Sequence, residues 1–442
     1  MAICATSLAA VARAEDFAER RLHNWHQWRG PSADGVAPHA DPPIEWDEQS
    51  GVRWKLELPG RGNSTPIVWE DTIFLTAAVP TERMATEAEA AALREANQGQ
   101  LTLPALVHHR FELLAVDRHS GEIRWQRTAV EALPHERHHP NGSYASASPV
   151  TDGRRIYVSF GSYGLFCYDF AGTLLWQRDL GQMRTRNGWG EGASPALWGD
   201  TLVVNWDHEQ DSFLVALDAA TGQTRWKVER EEPTSWSTPL IVDSPDGPQV
   251  IVSATNRVRG YALSSGELLW ECGGLTTNVI PSPVADERAV YCMSWYGESA
   301  VLAIPLDASG DLTGSERLLW SYDALAPYSP SPVLYQGALY FARANSPIVT
   351  SLDVQSGETE LAPVRLPQVR SDMYASPVAA AGRVYFLAGD GTTIVARHGS
   401  QLDVLAVSRL DDLFEASPAI VENQMFLRGH RFLYCLERTR EQ

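Results

Sequence analysis

Val215-Ala216-Leu217-Asp218-Ala219-Ala220-Thr221-Gly222-Gln223-Thr224-Arg225-Trp226 reads as a single hairpin, and the chain repeats it. Val215 to Asp218 is an apolar strand, Gly222 supplies the positive φ of a tight turn, and Trp226 lies on the returning strand. The same order recurs as Leu114-Ala115-Val116-Asp117, Gly121 and Trp125, and as Tyr168-Asp169, Gly172 and Trp176. It recurs again as Tyr261-Ala262-Leu263, Gly266 and Trp270. A tryptophan on an outer strand fills the gap between wedge-shaped sheets, and the small alanine leaves room for it. Packing between neighbouring sheets is the predicted role of all four indoles.

Upstream of each hairpin stands a small residue, a proline and an apolar strand. The prolines are Pro66, Pro149, Pro195, Pro239, Pro283, Pro332, Pro377 and Pro418, at intervals of 83, 46, 44, 44, 49, 45 and 41 residues. A fixed period of this size marks a propeller or solenoid. In the second copy Ala147–Val150 predicts an innermost strand, and Ile156, Val158 and Phe160 alternate as in a half-buried strand. Leu165–Asp169 and Thr173–Arg178 complete four antiparallel strands, one propeller blade. The eighth copy stops at Tyr434-Cys435-Leu436 without its outer strand. Val52-Arg53-Trp54-Lys55-Leu56-Glu57-Leu58 supplies that strand from the other end of the chain and removes the exposed edge. The predicted fold is therefore all-β: an eight-bladed β-propeller of four-stranded antiparallel blades, closed by an N-terminal strand in the last blade.

Three segments are expected: a signal-peptide-like stretch over 1–14, a strap over 15–51, and one propeller domain over 52–442. Ala12-Arg13-Ala14 before Glu15 resembles an export cleavage site, which predicts a periplasmic or otherwise exported protein, with no basic n-region in the sequence given. The strap, with Trp25 and Trp28, is expected on the propeller's side. Blade one carries an insertion at about 80–108, and Thr81–Asn97 within it predicts a surface helix. Cys167, Cys272, Cys292 and Cys435 form no C-x-x-C; buried free thiols are expected, with a disulfide the alternative.

Lys and Arg number 36 against 55 Asp and Glu, a formal charge of −19 with no dense basic stripe. Such a surface repels phosphate backbones, so nucleic acid is not an expected partner. No apolar run reaches the length of a membrane span. A monomer is expected.

Ala115–Trp125 and Ala216–Trp226 resemble the tryptophan-docking repeat of pyrroloquinoline quinone (PQQ) propellers. Trp25-x-x-Trp28-Arg29-Gly30-Pro31 and Leu58-Pro59-Gly60-Arg61-Gly62-Asn63-Ser64-Thr65-Pro66 look like exported planctomycete-type members of that family. The resemblance implies the fold and leaves activity open, because the same repeat serves PQQ- and calcium-dependent dehydrogenases of alcohols or sugars and the non-catalytic outer-membrane assembly scaffold BamB. A binding scaffold for a protein or small ligand at the channel mouth is the first expectation, without a cofactor. A quinoprotein dehydrogenase and a BamB-like scaffold are the alternatives.

Loops entering the inner strands crowd one mouth of a propeller's channel, so residues just before each proline are the site candidates. Trp236, Arg61, Asn63 and Tyr374 would hold a cofactor, with Trp236 stacked under its ring. In the quinoprotein reading Glu191, Asn278 and Asp323 would bind calcium, as oxygen donors suit a hard cation, and Asp323 would be the catalytic base. Against that reading, the vicinal cysteine pair of many quinoprotein alcohol dehydrogenases is absent. His108, His109, His135, His138 and His139 read as solvated loop histidines rather than metal ligands. Arg184-Thr185-Arg186 reads equally as an anion clamp or as surface salt-bridging.

Overall fold

The computed structural model describes residues 16–99 and 104–438. The signal-peptide-like stretch 1–14 lies outside them. Eight antiparallel sheets follow one another along the chain. Blade 3 is typical, with Ala196–Trp198, Thr201–Trp206, Phe213–Asp218 and Thr224–Glu229 in order from the axis outward. Blade 8 takes three strands from the C-terminal end and its outermost from Val52–Glu57, which pairs antiparallel with Phe432–Glu437. Trp54 lies opposite Cys435 in that pairing, so first and last strands close the ring. Blade 4 departs from four strands. Gly310–Asp311, from extra residues within blade 5, adds parallel to Leu268–Cys272 as a fifth.

The second strand of blade 2, Arg155–Ser159, is not half-buried as its alternation suggests. Ile156, Tyr157, Val158 and Ser159 are all buried. A blade has a neighbour on each face, so only outermost strands such as Thr224–Glu229 show alternating exposure. Trp125, Trp176, Trp226 and Trp320 each donate Nε1–H to a carbonyl of the next blade, at Phe170, Ala219, Leu263 and Val354. Each ring lies under the turn glycine of that blade. Trp270 does not behave as its repeat position predicts. It stays inside blade 4, donating to Gln249 Oε1 at 2.7 Å over Gly260. Blade 5 has no turn glycine where the ring would dock, since Pro305-Leu306-Asp307 stands there.

The residues before the prolines form a hydroxyl girdle. The backbone N–H of Thr65 donates to Ser148 Oγ, that of Ser148 to Ser194 Oγ, and that of Ser194 to Thr238 Oγ1. Thr238, Ser282, Ser331 and Ser376 continue the chain to Ser417, each bond at 2.9–3.0 Å. Thr65 Oγ1, at the seam between blades 8 and 1, has no partner.

The strap crosses the end of the axis rather than lying on the side. Trp25 pairs with Val68 of blade 1, and the His26 carbonyl accepts from Thr151 of blade 2. Arg29, buried, then donates to the carbonyls of Pro332 and Pro377 on the opposite side at 2.6 and 2.8 Å. Val36 bridges Ala379 beyond it. A buried guanidinium needs acceptors, and the inner-strand carbonyls supply them. In the blade 1 insertion the helix is Glu87–Ala96, with a Thr86/Glu89 capping box. Thr81–Met84 belongs instead to the long strand Thr72–Met84. The four cysteines named above are free and buried.

Candidate functional site

With one end crossed by the strap, the axis becomes a one-mouthed pocket of about 490 Å³. Trp28 lies at its base beside girdle residues Ser148, Ser194, Ser376 and Ser417. Its wall is aromatic and amide-rich. Trp189 and Trp236, from the loops entering blades 3 and 4, have ring centroids 6.1 Å apart, and Trp236 Nε1 donates to the Gly190 carbonyl at 2.6 Å. Tyr296, at the tip of a blade 5 hairpin, lies 5.7 Å from Tyr328. Asn63 reaches across to the Asn141 carbonyl at 2.7 Å, and Tyr374 donates to Asp372 at 3.3 Å. Glu191 and Glu415 are the lining carboxylates, the latter paired with His430. No lysine or arginine is among the lining residues.

The structure divides the predicted site residues. Trp236, Asn63, Tyr374 and Glu191 line the pocket. Arg61 does not; it is exposed, with Nη2 3.2 Å from His430 Nε2. Asn278 is buried behind the wall, its side-chain amide without a hydrogen bond. Asp323 is exposed, just past the outermost strand Trp320–Tyr322 of blade 5, and is not at the pocket. It lies in the loop expected for it, between that outer strand and the inner strand Val333–Tyr335 of blade 6, but at the loop's outer end and away from the channel mouth. The three proposed calcium ligands therefore do not line one cavity, and the cation whose charge reaches this wall, Arg186 acting on Tyr328, is not among its lining residues. Glu191, Asn278 and Asp323 as placed do not form one calcium site.

Behind Trp236 a second, smaller cavity joins loops of blades 1 to 3. One ligand atom each from His135, Glu136 and Glu191 lies within 4.8 Å of the others. Glu191 accepts from the N–H and Oγ of Ser162, and burial pushes its carboxyl up to about 8. Glu136 accepts from Thr185 N–H at 3.0 Å and Oγ1 at 2.6 Å, and burial raises it too. Thr185, at the centre of the basic run, thus faces inward. Burial lowers His135, whose Nδ1 is 3.0 Å from the Tyr163 hydroxyl. His108 and His109 are buried in a blade 1 strand, not solvated. Sequence reasoning passed over Glu136 and grouped His135 with solvated loops, because the three groups converge only when two blades stack. Gly161 packs against Glu191, whose Oε2 takes the place a Cβ there would occupy.

Eight sheets and an N-terminal closing strand around an axial pocket define an eight-bladed β-propeller. The sequence model of the family described as "Outer membrane protein assembly factor BamB" matches residues 109–363, more than half the chain. The chain belongs to this family. Among solved structures, BamB from Moraxella catarrhalis superposes with a TM-score of 0.58 at 12% identity, over 88% of this chain and 98% of that one. The computationally designed Ika8 protein gives 0.53 at 12% identity over 75% and 93%. The C-terminal WD40 domain of Sif2 gives 0.53 at 10% identity over 88% and 98%. At these identities the likeness is one of fold. No curated protein matches the chain in sequence. No helix among the described residues is long and apolar enough to cross a membrane.

Proposed function

We propose that this protein is an exported, monomeric, non-catalytic binding propeller whose axial pocket takes a neutral saccharide. The observation that carries this reading is the wall: indole and phenol faces alternating with amides and carboxylates, with no lysine or arginine among the lining residues. Aromatic faces stack on the C–H faces of a sugar ring, while Asn63, Asn345 and Glu415 offer donors and acceptors to its hydroxyls. The pocket's volume is that of a small-ligand site. A rigid ring carrying variable loops suits recognition. The strap supports a one-ended mode of binding, in which a chain end enters and does not thread through.

A glycan array tests this. The protein should retain one class of uncharged oligosaccharide, and Trp236→Ala and Tyr374→Ala should lose it while keeping their fold by circular dichroism. Retention of acidic glycans alone, or equal retention by both variants, would refute the reading. Family membership favours a second reading, a protein-assembly scaffold of BamB type. In that case a protein partner would be captured by cross-linking at Tyr296 on the pocket rim, and no glycan would bind.

A further inference from the structure

We propose that His135, Glu136, Glu191 and Asn205 form a binding site for a first-row divalent cation, Zn²⁺ or Mn²⁺, in the small cavity behind Trp236. The four side chains line one cavity of about 40 Å³, room for a cation and its remaining water. His135 Nε2 lies 3.8 Å from Glu191 Oε1, and ligand atoms of His135, Glu136 and Glu191 are all within 4.8 Å of one another, so a small inward shift brings them to bonds of about 2.0–2.2 Å to a shared centre.

Asn205 points independently to a ligand. It is 2% exposed, and its Oδ1 has no hydrogen-bond partner. Its Nδ2 donates to Ser235 Oγ at 3.1 Å and to the Ser237 carbonyl at 3.2 Å. A carbonyl can only accept, so the nitrogen is fixed on that side and the unsatisfied atom is the oxygen. A buried amide oxygen without a donor is costly, and a cation relieves it.

The surrounding bonds hold the ligands in place. Thr185 fixes Glu136 and Ser162 fixes Glu191, both through backbone N–H groups. Tyr163 holds His135 Nδ1, leaving Nε2 at 3.8 Å from Glu191 Oε1. Nε2 is also 2.9 Å from the Met183 carbonyl, so binding would exchange that contact for the metal and pass the ring proton to Nδ1, facing the Tyr163 oxygen. Asp207, also on the cavity wall, is already committed to Arg230 at 2.7 Å. Arg137 lines the cavity edge and turns outward to the Asn187 carbonyl. One imidazole among three oxygens favours a borderline ion over calcium. The site shares only Glu191 with the calcium set implied by family resemblance, and it does not depend on the saccharide reading.

The test uses the full chain after chelator treatment and dialysis into metal-free buffer. Calorimetric titration with Zn²⁺, Mn²⁺ and Ca²⁺ should give one equivalent of Zn²⁺ or Mn²⁺, with a melting temperature that rises with metal concentration. Glu191→Gln and His135→Asn should each weaken binding at least about tenfold with unchanged circular dichroism. His135 is only partly buried, so its variant remains informative should Glu191→Gln misfold. No saturable Zn²⁺ or Mn²⁺ binding up to about 1 mM, or binding undiminished in folded His135→Asn, would overturn the proposal. Binding of calcium alone would overturn it too.

Discussion

The indole Nε1 of Trp54 donates to the carbonyl of Arg118 at 2.9 Å. Trp54 stands on the strand that completes blade 8, and Arg118 directly follows Val107–Asp117, the third strand of blade 1. One residue therefore ties the two seams that make the ring: its backbone pairs with the last strand, while its side chain packs on the first blade. The ring lies under Gly121, where a Cβ would stand 2.6 Å from Trp54 Cδ2.

Gly121→Ala should accordingly cost more than an equally left-handed glycine with open space. Gly121 has φ +76° and Gly382 has φ +75°, yet nothing lies within 4 Å of a Cβ at Gly382. Gly382→Ala bears the backbone strain alone, about 1 kcal/mol, and Gly121→Ala adds displacement of the indole, about 1–3 kcal/mol more. Urea midpoints of the two variants measure the difference.

The hydroxyl girdle predicts a second contrast. Ser331→Ala removes the acceptor of the Ser282 N–H and strands a buried donor, costing about 1–3 kcal/mol. Thr65→Val removes a hydroxyl that accepts nothing, so it should be neutral within about 0.5 kcal/mol or stabilising. Equal losses in thermal unfolding would contradict the girdle.

Acid should loosen the strap. His26 is 3% exposed, and burial followed by the charge of Arg21 lowers its pKa to about 3. A folded value below the unfolded ~6.5 gives stability that is present above pH 6.5 and lost as pH falls toward 3. Between pH 7.5 and pH 5 this group should account for about 2 kcal/mol. His26→Phe should flatten that part of the pH profile, measured as the difference between variant and wild-type urea midpoints.

The pocket floor gives a fourth expectation. Trp28→Ala enlarges the closed end without touching the mouth, so saccharide affinity should fall about tenfold while the ring still folds. Isothermal titration of the bound saccharide reads this directly.

Local pairing was legible in the sequence; convergence between distant loops was not. Val215–Trp226 and the Ser/Thr-Pro spacing report contacts within a blade and between blades adjacent in the chain, so eight blades and the Trp54 closure could be counted. Trp270 escaped because its orientation is decided by what blade 5 lacks, a glycine slot. The strap was misplaced because Arg29 meets its carbonyls about 300 residues downstream, a partnership no period encodes. Trp236, Asn63 and Tyr374 line the pocket, as expected if loops before inner strands share a mouth. Asp323 is in such a loop but at its outer end, next to Trp320–Tyr322, and Glu136 was missed because its position depends on how one long loop folds back toward Thr185.

A thermal titration of the full chain with PQQ plus calcium, in parallel with the neutral oligosaccharides retained on the array, distinguishes a saccharide pocket from a quinone pocket. For a neutral-saccharide pocket the melting temperature climbs with saccharide concentration in wild type but not in Trp236→Ala, and PQQ with calcium gives no shift. A saturable rise with PQQ and calcium, abolished by Trp236→Ala, would contradict it.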